Sequence, residues 1–169
     1  MTRNNFPCLA TIFRLLIVVW LLSCMVTSCS STKKALGLVN KIDITIKADK
    51  DVNPDAHGNP SPVRVRFYEL SDAANFRKAD FASLLNNDQA AIGDQNLGRE
   101  EFELKPEALH TIARGVKPDT RYLGIVAAYH NVDKIKWRAI ISINTDDTTV
   151  AVVNLGKTGM TAANNLIEK

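Results

Sequence analysis

Ile42-Asp43-Ile44-Thr45-Ile46-Lys47 and Val63-Arg64-Val65-Arg66-Phe67-Tyr68 decide the fold. In both stretches an aliphatic or aromatic residue alternates with a more polar one, the period of a β-strand that buries one face. Residues 122–129, by contrast, are almost unbroken apolar, as expected of a central strand covered on both sides. Phe102 and Leu104 alternate with Glu101 and Glu103, residues 137–143 and 150–155 continue the strand pattern, and residues 110–113 add a short strand. About seven strands predict a mainly β fold, a two-sheet antiparallel β-sandwich. One segment breaks the pattern. Phe76, Phe81, Leu84 and Leu85 fall near one helical face, with Asp72 or Asn75 available as a cap, so a short helical insertion is expected there.

Residues 49–62, between the first two strands, hold Pro54, Pro60, Pro62, Gly58, Asn53, Asn59 and His57. Proline removes backbone donors, so this composition supports neither helix nor ladder and reads as a long surface loop. Asp49, Asp51, Asn53 and Asp55 alternate as in the start of a calcium loop. The match then fails, because Pro54 stands where the loop needs Gly and Pro60 where it needs a bidentate Glu.

The chain opens with an export pattern. Arg3 and Arg14 precede an apolar run over residues 15–26, and Val26-Thr27-Ser28-Cys29 ends it with small residues before a cysteine. That run is about twelve residues long, whereas a spanning helix needs roughly 20. The arrangement has the form of a bacterial lipobox, with Cys29 receiving the acyl chains and the cut falling after Ser28. Leu21-Leu22-Ser23-Cys24 is a rival site, disfavoured by the bulk of Leu22. Ser30 follows the acylated cysteine, where an Asp would favour retention in the inner membrane. The expected organisation is a signal peptide over 1–28, a lipidated tether over 29–38, the sandwich over 39–158 and a C-terminal tail over 159–169.

Composition narrows the function. The chain carries 21 basic and 18 acidic residues, and two of the basic ones, Arg3 and Arg14, lie in the signal. The remaining balance is near neutral with no basic cluster, which argues against nucleic acid. Cys8 and Cys24 fall in the signal and Cys29 is the lipidation site, so no thiol remains for a disulfide, a zinc site or a nucleophile. His57, His110 and His130 lack metal-ligand spacing, and no serine sits in a Gly-x-Ser-x-Gly elbow. Glu100-Glu101 reads as a solvated strand edge, and Trp137 as a core aromatic capping the sheet. No cofactor, metal, small-molecule substrate or catalytic activity is expected.

Four stretches carry a resemblance. They are the run from Asn53-Pro54-Asp55-Ala56-His57-Gly58-Asn59-Pro60-Ser61-Pro62 into Val63-Arg64-Val65-Arg66-Phe67-Tyr68-Glu69-Leu70, then Phe76 with Ala79-Asp80-Phe81-Ala82-Ser83-Leu84, Leu123-Gly124-Ile125-Val126-Ala127-Ala128-Tyr129, and Trp137-Arg138-Ala139. Together they resemble the type VI secretion lipoprotein family known as TssJ, over residues 42–156. His130 departs from it, since such proteins often carry Arg there. The resemblance implies a transthyretin-like sandwich, held by acyl chains on Cys29 in the inner leaflet of the outer membrane and facing the periplasm. It implies as partner the periplasmic C-terminal region of the large inner-membrane subunit, TssM. The contact would lie in the loop over residues 49–62, at Asn53, Pro54, Asp55, His57, Gly58, Asn59 and Pro60. The alternative is a periplasmic transthyretin-like module that holds calcium or a glycan through the same acidic loop.

Overall fold

Ile42, Ile44, Ile46 and Ala48 project from one side of strand β1 (Lys41–Ala48) into the core, while Lys41, Asp43 and Lys47 face solvent. The alternation read from the sequence is therefore realised residue by residue. The computed structural model describes residues 40–164, within a unit spanning Val39–Lys169. The expected signal peptide and lipidated tether, with the candidate lipidation sites Cys24 and Cys29, fall in residues 1–39, which together with residues 165–169 lie outside the described residues.

Eight strands form two four-stranded sheets. The first has the order β4 (Leu109–Gly115), β1, β7 (Thr149–Gly156), β8 (Gly159–Asn164). The second has the order β3 (Asn96–Leu104), β2 (Val63–Leu70), β5 (Tyr122–Ala128), β6 (Arg138–Ser142). All neighbouring strands run antiparallel except β1 and β7, which are parallel. This is the expected sandwich with one parallel pair. The expected tail is a second departure, because β8 pairs with β7 from Gly156↔Gly159 to Ala151↔Asn164 and extends the sheet past residue 158. Thr161, Ala162 and Ala163 carry no apolar bulk to alternate with polar neighbours, so the pattern gives no strand signal there.

The β2–β5 pair is buried on both faces. Val63, Val65 and Phe67 of β2 and Leu123, Ile125 and Ala127 of β5 meet the first sheet. Tyr68, Leu70 and Val126 pack in the opposite direction, against Phe76, Leu84 and Ile92. That second layer consists of three short helices, α1 (Ala74–Lys78), α2 (Phe81–Asn86) and α3 (Asp88–Ile92); the periodicity predicts a single helix over the stretch of α1 and α2 and none at α3. Capping residues make the breaks: Ala79 is extended, Asp80 then accepts from the Ser83 amide at 2.8 Å, and Asn87 accepts from the Ala90 amide at 3.4 Å. Asp72 does serve the insertion, accepting from the Ala74 amide at 2.6 Å.

Two strand arginines fasten the helices to the sheet. Arg66 donates to the carbonyls of Leu84 and Leu85 at 2.8 Å, and Arg138 to those of Phe76 at 2.6 Å and Ala79 at 2.9 Å. A cation on carbonyls at a helix C-terminus satisfies orphan acceptors and complements the helix dipole. Trp137 is half-buried, edge-on to Phe81 with centroids 5.1 Å apart, which matches its expected place as a core aromatic. On the face of β2 opposite the helices, Glu69 is buried and accepts from Arg114 at 2.6 Å, the Lys117 amide at 2.9 Å and the Thr120 hydroxyl at 3.0 Å. Burial pushes its pKa up, but these three donors outweigh burial and hold it below the ordinary glutamate value. Glu100 pairs with Arg114 and Glu101 with Arg66, so both carboxylates belong to ion pairs on the β3 edge.

Gly124 marks the tightest point of helix docking. A Cβ there would lie 2.7 Å from the Phe76 ring, which is itself fully buried. Gly124→Val is expected to displace that ring and destabilise the domain by about 1–3 kcal/mol. Thermal unfolding measures it, and an unchanged midpoint would mean that the ring does not rest on the strand.

Candidate functional site

Three hydrogen-bonded layers build the loop over residues 49–62. At the base, the Asp49 amide donates to Leu155 O at 2.9 Å and the Val52 amide to Asp49 O at 3.2 Å, which turns the chain and drops the Val52 side chain into the core, fully buried. The second layer centres on Asn53, which sits at φ +47°, in the left-handed region that asparagine tolerates better than most residues. Its side-chain amide donates to Pro62 O at 2.8 Å and its carbonyl oxygen accepts from the His130 amide at 2.7 Å. Ser61 donates its hydroxyl to Asn53 O, which leaves the Ser61 oxygen to accept from His130 Nε2 at 3.0 Å. Pro62 directly precedes β2 and His130 lies two residues past β5, so Asn53 bolts the loop to the ends of the most buried strand pair.

Asp55 organises the third layer, the tip. Its carboxylate accepts from the amides of His57 at 2.8 Å and Asn59 at 2.9 Å, and from the Asn59 side chain at 3.2 Å. The Gly58 amide closes onto Asp55 O at 3.0 Å, with Gly58 at φ +84°, a conformation in which any Cβ would be strained. The Asn59 amide, followed by the other donors, holds the Asp55 carboxyl below its ordinary pKa. Ala56, His57, Gly58, Asn59 and Pro60 are exposed, whereas Pro54 and Asp55 are half-buried.

The expected contact set therefore divides. Asn53 is only 2% exposed and both polar atoms of its side chain are engaged, so it holds the loop from beneath and offers no contact surface. His57, Gly58, Asn59 and Pro60 form the accessible tip together with Ala56. His130 and Ser61 are fastening residues that the sequence did not reveal. Seventy-seven positions separate His130 from Asn53, and no local pattern announces a backbone amide as a partner.

Beneath the tip a cleft of about 530 Å³ opens between Pro54 and Ala56, the β5–β6 connection at Lys134 and Ile135, and the β7–β8 turn at Lys157. The alternating carboxylates do not converge on a cation site. Both Asp55 oxygens are used within the turn, and no group of three His, Cys, Asp or Glu side chains is arranged to hold a metal among the described residues.

Asn53→Ala leaves Pro62 O and the His130 amide without their partner and puts alanine at a positive φ. The expected cost is about 2–3 kcal/mol. Thermal unfolding is expected to show a midpoint several degrees lower, with faster hydrogen exchange at the His130 amide; unchanged exchange there would contradict the bolt.

The family model described as type VI secretion lipoprotein (VasD, EvfM, TssJ) matches residues 40–158. The T6SS lipoprotein TssJ1 from Pseudomonas aeruginosa is 30% identical, with a TM-score of 0.72 over 76% of this chain and 98% of that one. Serratia marcescens Lip, described as a membrane-bound component of the type VI secretion system, is 26% identical, with a TM-score of 0.65 over 73% of this chain and 96% of that one. A chain in a structure described as a type VI membrane complex, at 21% identity, shares the fold with a TM-score of 0.66 over 74% of this chain and 98% of that one. No curated protein sequence matches significantly. The chain belongs to the type VI secretion lipoprotein family that includes TssJ, a structural component of that machine and not an enzyme.

Proposed function

We propose that this lipoprotein is anchored in the outer membrane through acyl chains on Cys29, and that its loop tip binds the periplasmic region of the inner-membrane subunit TssM. Family membership over residues 40–158 supports the setting, as does a chain of the same fold in a type VI membrane complex. The lipobox at residues 26–29 supports the anchor, and among the described residues no helix is long and apolar enough to cross a membrane. The observation that carries the partner reading is the ordering of the tip before any partner arrives. Asn53, Asp55 and Gly58 fix a protruding turn whose exposed side chains belong to no core cluster. A contact made by a pre-ordered turn loses little conformational entropy on binding, which leaves more of the interaction energy for affinity.

Two experiments test this. Each buried acyl methylene contributes about 0.8 kcal/mol to membrane attachment, and two chains hold far better than one. Cys29→Ala is therefore expected to abolish incorporation of a palmitate analogue and to release the protein from the membrane fraction; continued labelling would move the anchor to Cys24. For the partner, Ala56→Arg combined with His57→Ala changes only exposed side chains. Calorimetric titration with the TssM periplasmic domain is expected to show affinity at least about tenfold weaker, with an unchanged melting temperature. Unchanged affinity would place the contact elsewhere.

A further inference from the structure

Each sheet edge is an exposed row of backbone groups, and natural proteins guard such edges with charge, bulges or short strands. Here β3 carries Arg99, Glu100, Glu101 and Glu103 along an edge whose pairing register shifts at Glu69/Leu70. The β4 edge is clamped by Arg114 to Glu69 and Glu100, and β6 is five residues long and starts at Arg138. The remaining edge, β8, reads Gly-Met-Thr-Ala-Ala-Asn and has no charge at all.

The ladder shows which groups face outward. The Met160 amide donates to Lys136 O at 2.7 Å, so its backbone points away from β7, and alternation turns those of Ala162 and Asn164 the same way. Lys136 covers only the Gly159 end of the strand. Beyond it, the outward N–H and C=O of Ala162 meet no backbone partner among the described residues. Side chains give a second, independent sign. Met160 points into the core at 1% exposure, yet Ala162 on the same side of the strand is exposed. The second sheet meets β8 through β6, yet leaves the inward-facing position at Ala162 uncovered. Beside the Gly159 end stand Lys134, Lys136 and Lys157, all exposed, and none belongs to an ion pair among the described residues.

We propose that the edge of β8, unpaired beyond Gly159 among the described residues, takes an extended segment of the inner-membrane partner as a fifth strand of the first sheet. This rests on the partner reading above and adds a second contact to the loop tip. Main-chain hydrogen bonds to Ala162 supply the attachment, as in strand addition generally. The segment carries an apolar side chain over the uncovered position at Ala162 and acidic residues toward Lys134, Lys136 and Lys157.

The test uses the full lipidated chain in detergent with the partner's periplasmic domain. Hydrogen exchange at Ala162 is expected to slow about tenfold or more in the complex. Ala162→Pro removes the outward donor without touching the β7 ladder, as proline on a free edge does, and is expected to weaken binding about tenfold with an unchanged melting temperature. Should that variant fail to fold, Ala162→Asp, which sets a charge at an exposed position against the segment's apolar side chain, is expected to give the same weakening. A complex that forms with unaltered Ala162 exchange and tolerates these variants overturns the strand addition and leaves the loop contact standing. Concentration-dependent protection without partner means that a second copy pairs there, which also overturns it. Absence of any complex overturns the partner reading and this inference together.

Discussion

The β2–β5 strand pair is buried on both faces along most of its length, and the rest of the structure answers to that constraint. Phe67 and Ile125 fill the space between the sheets, while Tyr68 and Val126 present a second apolar surface on the other side. Leaving the second surface in water would forfeit about 25 cal/mol for each square ångström of apolar area. Three short helices cover it instead. Helices of five or six residues are too short to persist on propensity, so they depend on docking: Phe76, Leu84 and Ile92 enter the sheet's surface, and Arg66 and Arg138 satisfy their terminal carbonyls.

The same constraint gives the loop its rigidity. A pair of strands packed on both faces has fixed ends, and Asn53 bonds at both of them, to Pro62 before β2 and to His130 after β5. The tip therefore inherits order from the core through Asn53, together with buried Val52 and the Ser61–His130 bond. Under the proposed function, a lipid anchor restrains where the domain sits, while a stiff projection sets what it can touch. A flexible loop of the same composition would reach as far, but a partner would have to order it on each encounter.

Much of the fold was legible in the sequence because burial is periodic. The Ile42–Ile46 alternation and the apolar run over residues 122–129 predict a one-sided and a two-sided strand, and both occur as such. What escaped was set by interactions without a period. Asp80 splits the helix expected over residues 76–85 into two, since a capping bond competes locally with helix continuation, and Asn87 caps a third in the polar stretch beyond it, which shows no helical period. β8 escaped because small residues at a sheet edge alternate no hydrophobicity. At the loop, composition revealed the turn and its exposed tip, whereas the inward role of Asn53 depends on an amide brought close by the fold alone.

The central claim, that the loop tip meets the inner-membrane subunit, is tested most directly by photo-crosslinking in cells. A photoreactive residue is placed at His57 and, as a control, at Ala113, which is exposed on the outer face of the first sheet. The account predicts a cross-link to TssM from position 57 and none from position 113. A cross-link from 113 alone would contradict it and move the interface to the open face of the first sheet.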